Sequence, residues 1–124
     1  MAIIQTAVRN KDGKKKPTRY YSDKQEKHVA KAVNGKQQIN SGATMFGGKG
    51  DVSANNCLIE CKTCTKPKDS FSIKKEWLEK NLKEALFEGK EYNALAFNFG
   101  PNEKMYYIID ERTFEELFGY ERKS

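Results

Sequence analysis

The feature that most limits the fold is Asn55-Asn56, set between two short runs at residues 51–54 and 57–63. Asparagine tolerates positive φ, so this pair can form the two-residue loop of a tight hairpin. With that loop the register is fixed: Ala54 faces Cys57, Ser53 faces Leu58, Val52 faces Ile59 and Asp51 faces Glu60. Directly opposed residues hold their Cβ atoms ~4.5–5.5 Å apart on one face. Alternation along the second run sends Glu60 and Lys62 to one side and Cys57, Ile59 and Cys61 to the other, where Val52 joins them. The hairpin is expected to have one apolar face and one face that gathers Asp51, Glu60 and Lys62.

Two opposed carboxylates repel each other until a hard cation lies between them. Mg²⁺ takes one or two carboxylates and fills its remaining positions with water and phosphate oxygens. A lysine beside the pair can orient an attacking water and neutralise charge on a phosphate. The plainer reading of the same three residues is a surface salt-bridge cluster on a half-exposed strand.

The elements around the hairpin follow from capping and periodicity. Ser22 to Gln25 fits a capping box that opens a helix, and Asn34-Gly35 closes it. Val29, Ala30 and Val33 form its apolar stripe, and Glu26 is the first position of that stripe, so a carboxylate is aimed inward. Residues 36–44 are read as a strand with Ile39 as its only strong apolar member, and residues 46–50 as a glycine-rich loop. That loop lacks the Lys-Ser/Thr ending of a phosphate-binding loop. A second helix is expected from Ser72 to Glu88, stopped by Gly89, with Ile73, Trp77, Leu78, Leu82, Ala85 and Leu86 as its apolar face. Residues 94–99 and 105–109 read as strands, and residues 113–118 as a short closing helix with Phe114, Leu117 and Phe118 packing inward. The order implies an α/β fold: one domain, a mixed central sheet and flanking helices. The expected division is a basic arm or short strand over residues 1–21 and a folded domain over residues 22–124.

Charge identifies the kind of partner. Residues 1–49 hold 11 Lys/Arg against 3 Asp/Glu, whereas residues 71–124 hold 9 against 11. The positive field therefore comes from the N-terminal part and is densest at Lys14, Lys15, Lys16 and Arg19. Such a patch attracts a polyanion by counterion release, or serves as a solvated arm. Met1 to Thr6 lacks the basic and long apolar segments of a signal peptide, no apolar run is long enough to span a membrane, and three cysteines without an export signal read as reduced thiols. A cytoplasmic protein without membrane attachment is expected.

Gly50-Asp51-Val52, then Glu60-Cys61-Lys62, resembles the signature of the PD-(D/E)XK nucleases, with Gly50 where that superfamily often has proline. Glu26 matches the acidic residue that members carry on a preceding helix. Ser41-Gly42-Ala43, together with a helix and strand after Lys62, is similar to archaeal and phage Holliday junction resolvases. The resemblance spans roughly residues 22 to 99. It implies a restriction-endonuclease-like core and a DNA endonuclease dependent on Mg²⁺, with Mn²⁺ able to substitute. The metal ligands would be Asp51, Glu60 and the backbone carbonyl of Cys61. Lys62 would position the attacking water, and Glu26 would complete the acidic cluster or hold a second metal. The implied substrate is a four-way DNA junction and the implied assembly a homodimer. DNA contacts are expected from Lys14, Lys15, Lys16, Arg19, Ser41, Lys49, Lys74 and Lys75.

The alternatives are a general or otherwise structure-specific endonuclease of the same type, and a non-catalytic DNA-binding module. Zinc is a poor reading of Cys57, Cys61, Cys64 and His28, because alternation sends Cys57 and Cys61 to the apolar face and no second Cys-x-x-Cys completes four ligands. His28 falls off the helix stripe and is expected to face solvent. Trp77 is expected in the core rather than as a base-stacking platform.

Overall fold

In the computed structural model, which describes residues 18–38 and 51–119, eight elements follow in order. They are α1 (Thr18–Ala32), β1 (Lys36–Gln37), β2 (Asp51–Ser53), β3 (Cys57–Lys62), α2 (Lys75–Phe87), β4 (Tyr92–Phe97), β5 (Tyr106–Ile108) and α3 (Glu111–Phe118). The strands form one sheet in the order β1-β2-β3-β4-β5. Only β3 and β4 run parallel. Parallel neighbours need a long crossover, and α2 supplies it. The fold is thus a small α/β domain with a mixed sheet and helices on both faces.

The hairpin register is the one that alternation demands: Asp51 pairs with Glu60, Val52 with Ile59 and Ser53 with Leu58. The turn reaches it differently from expectation. Positive φ among the described non-glycine residues occurs only at Asn34 and Asn102, so Asn55 and Asn56 do not use theirs. Instead Asn56 anchors the loop to the start of β4: its side chain donates to Glu91 Oε1 and accepts from the Glu91 amide, and its carbonyl accepts from the Tyr92 amide.

On one face of the sheet, Val52, Ile59, Cys61, Ala94 and Ala96 close around Val29 of α1. Burying a valine or isoleucine in this way contributes roughly 1.5–3 kcal/mol. The opposite face carries Leu58, Glu60, Lys62, Leu95 and Phe97 and lies under α2. Asn81 of α2 fixes the contact by donating to the Leu58 carbonyl (3.4 Å) and accepting from Asn93 (2.8 Å).

Several element boundaries differ from the sequence reading. α1 begins at Thr18, four residues before Ser22, so residues 18–21 belong to the folded domain rather than to an arm. Ser22 donates to the Arg19 carbonyl within the helix and caps nothing. α2 begins at Lys75 after an N-cap Lys74 with no side-chain cap bond, so Ser72 is not its cap. Its buried residues are Asn81, Glu84 and Ala85, while Leu82 and Leu86 are exposed. α3 also turns opposite to expectation. Phe114, Leu117 and Phe118 are 56, 57 and 68% exposed. The polar side is the one that is tied down: Tyr92 donates to Glu116, and Arg112 donates to the Glu91 carbonyl and pairs with Glu116. Ile39, the glycine-rich loop and the closing residues 120–124 lie outside the described residues. No described helix is long and apolar enough to cross a membrane.

Candidate metal centre

Asp51 opens β2 and stands beside Glu60 on β3. A third carboxylate, Glu84, descends on them from α2. One oxygen from each lies within 4.8 Å of the others, and among the described residues this is the one group of three or more carboxylate, thiol or imidazole ligands close enough to share a cation. Asp51, Glu60 and Glu84 are 2, 3 and 4% exposed. Asp51 Oδ1, Glu60 Oε1 and both Glu84 oxygens are buried without a hydrogen-bond donor. Leaving an ion in such a place uncompensated costs several kcal/mol, comparable with two or three core side chains.

Two features offset part of that cost. Lys62 Nζ lies 2.8 Å from Glu60 Oε2. Burial, reinforced by the charges of Glu84 and Glu60, pushes the Asp51 carboxyl up to about 8. The Glu84 carboxyl is raised as well, first by burial. Formally, three carboxylates (−3) and Lys62 (+1) leave −2; one proton leaves −1, and one divalent cation leaves 0. The donor set is all hard oxygen, which suits Mg²⁺ and Mn²⁺.

The backbone under Lys62 is fixed from the other face. Gln25 of α1 donates to the Lys62 carbonyl at 2.8 Å and accepts from Thr63 Oγ1 at 2.7 Å. β3 therefore has its end tied to α1, while its acidic face meets α2.

Glu26 is aimed inward as periodicity requires, at 1% exposure, but it does not join the cluster. Its Oε1 accepts from Gln37 Nε2 (2.7 Å), which also donates to Asp23 (2.7 Å). Gln37 pairs with Val52, so this group lies on the α1 face, across the sheet from Asp51 and Glu60. Burial raises the Glu26 carboxyl, partly offset by the Gln37 bond. A carboxyl raised in the fold stabilises below its ordinary range and loses that contribution as pH rises through the folded value. Glu26→Gln is therefore expected to keep or slightly raise thermal stability above neutral pH, and to reduce any cleavage by a smaller factor than a change at Asp51. Thermal melts of the pure variant check this. A loss of several kcal/mol, typical of a broken buried network, would show that Gln37 and α1 need the charge.

The remaining expected site residues are scattered or undescribed. Arg19, Lys74, Lys75 and His28 are exposed. Lys14, Lys15, Lys16, Ser41 and Lys49 lie outside the described residues. Cys61 follows Glu60 with its thiol buried on the α1 face and pushed up by that burial. All three cysteines are free. The sequence reading missed Glu84, although a signal existed: Trp77, Asn81, Glu84 and Ala85 share one helical stripe. Comparison of the sequence with protein-family models and with curated proteins, and of the fold with solved structures, finds no match.

Proposed function

We propose that this protein is a Mg²⁺-dependent endonuclease that hydrolyses DNA phosphodiesters, with the four-way junction as its preferred substrate. The observation that carries the reading is the trio of buried carboxylates, each with at least one oxygen that no donor meets, and a lysine bonded to one of them. The resemblance of Gly50-Asp51-Val52 and Glu60-Cys61-Lys62 to the PD-(D/E)XK signature, carried by the same Asp51, Glu60 and Lys62, points the same way.

Asp51, Glu60 and Glu84 would hold the metal, together with the Cys61 carbonyl that the resemblance implies. A bound Mg²⁺ supplies Lewis-acid stabilisation of charge on phosphorus and lowers the pKa of a coordinated water. Lys62 keeps a positive charge 2.8 Å from Glu60, where it can orient a water and meet a phosphate oxygen. Arg19, Lys74 and Lys75 are exposed cations suited to the DNA backbone. With exposed cations that would meet the backbone, discrimination would rest on DNA shape and phosphate positions. A two-fold dimer would place two centres on opposed strands of a symmetric junction. The exposed apolar face of α3 is the kind of surface such a dimer buries.

The test is incubation with labelled four-way junction, flap and linear duplex DNA, with Mg²⁺ or with chelator, alongside competition binding. Junction nicking only with Mg²⁺ and junction affinity well above duplex affinity are expected, from a species of dimer size. Affinity should fall steeply with salt, and less steeply once Lys14, Lys15 and Lys16 are replaced, if that segment meets phosphates. Equal affinity for all substrates would leave a general endonuclease, and binding without cleavage would leave a DNA-binding module.

A further inference from the structure

We infer that Trp77 is a positioning residue for Lys62, holding its ammonium at the metal centre when the charge of Glu60 is committed to a cation. Lys62 Nζ lies 4.1 Å from the centre of the Trp77 ring. The same ammonium is 2.8 Å from Glu60 Oε2, so it is held by one carboxylate and one aromatic face. A cation drawing on Glu60 weakens the first of these contacts. A four-carbon side chain with a weakened partner returns to its many rotamers. The attraction of an indole face for an ammonium comes from the ring quadrupole and does not depend on Glu60. It persists when the ion pair fades.

The ring is itself held in place. Trp77 lies in the first turn of α2, where its amide donates to the Lys74 carbonyl. Phe71 meets Trp77 at 6.3 Å and Phe97 at 4.8 Å between ring centres. Phe97 is the register partner of Lys62 on the neighbouring strand. The contacts close a circuit from Lys62 through Phe97 and Phe71 to Trp77 and back to Lys62. Lys74 Nζ also lies 5.8 Å from the Trp77 ring centre, so the indole gathers positive charge at the end of the sheet where Lys62 emerges.

The kinetic consequence rests on the nuclease reading, while the structural one rests only on a cation bound at Glu60. The structural experiment follows the ε-methylene resonance of Lys62 by NMR in the whole protein, assigned by its loss in Lys62→Arg, without and with saturating Mg²⁺. Wild type is expected to show an upfield ring-current shift in both states, and Trp77→Leu to lose it. A Lys62 signal that returns to the position of exposed lysines on Mg²⁺ addition would overturn the inference whether or not the protein cleaves DNA. In cleavage assays Trp77→Leu is expected to lower kcat about tenfold, with junction Kd and Mg²⁺ affinity within about twofold of wild type, and Trp77→Phe to recover most of the rate. A Leu variant with wild-type kcat, or a Phe variant as slow as Leu, would overturn it. Should the Leu variant fail to fold, the Phe variant is compared with wild type for a smaller ring-current shift and an intermediate kcat.

Discussion

Replacing Asp51 by Asn, or Glu60 by Gln, is expected to lower Mg²⁺-dependent strand cleavage by about a thousandfold or more, the scale of losing a principal electrostatic contact at the reacting centre. Each change removes one anionic oxygen donor from a set of three without changing the side chain's size. Asp51 and Glu60 are register partners at the core of the sheet, so neither can be replaced by a neighbour shifting into its place. DNA affinity in the absence of metal should stay within about threefold, because the proposed binding would draw on exposed cations rather than on the cluster. Glu84→Gln should also lower cleavage strongly, since Glu84 completes the donor set from the other layer. Single-turnover cleavage and equilibrium binding on the same preparations separate the two effects. Wild-type cleavage by a folded Asp51→Asn or Glu60→Gln protein would remove the cluster from the reaction.

The hairpin half of this centre was legible in the sequence because a two-residue loop and a strict period of two leave one register, and that register opposes Asp51 to Glu60. Inward aim of Glu26 was legible for the same kind of reason: it heads a short apolar stripe. Its place across the sheet from the cluster was not, because periodicity gives direction relative to a helix axis and not which face of a sheet that helix covers. Glu84 stayed hidden because hydrophobicity favours Leu82 and Leu86, which form a second stripe on α2. Asn81 decides between the stripes by bonding to Leu58 and Asn93, a tertiary contact without a local signature. α3 misled for a related reason. Its apolar stripe is strong, yet polar contacts through Arg112 and Glu116 set its rotation, so an apolar stripe marks a surface that seeks a partner without saying where the partner lies.

Stability should depend on pH in a direction set by the buried cluster. Asp51, ordinarily at 3.8, is pushed up to about 8 by burial and by the neighbouring charges of Glu84 and Glu60. The folded state therefore binds a proton that the unfolded state has released across the interval from about 4 to 8. Linkage then makes the metal-free protein lose stability as pH rises through that interval. Glu84 and Glu26 act in the same direction. Asp23 and Asp110, lowered mainly by hydrogen bonds from an ordinary 3.8, change their contribution only below that interval and leave its slope untouched. At 1.36 kcal/mol per pKa unit, the net loss between pH 5 and pH 8 is on the order of a few kcal/mol. Asp51→Asn should flatten most of that slope and melt higher than wild type at pH 8 without metal.

A divalent cation bound in place of the Asp51 proton should reverse the loss. Ligand binding to the folded state at a hundredfold excess over Kd contributes about 2.7 kcal/mol, which in a domain of this size raises Tm by on the order of 10 °C. The most direct measurement is the thermal melt at pH 8 with Mg²⁺ and with chelator, for wild type, Asp51→Asn, Glu60→Gln and Glu84→Gln. The expected result is a large Mg²⁺-dependent rise in wild type that is lost or sharply reduced in each of the three variants. A wild-type melt indifferent to Mg²⁺, or an equal rise in all four proteins, would contradict a metal centre built from Asp51, Glu60 and Glu84.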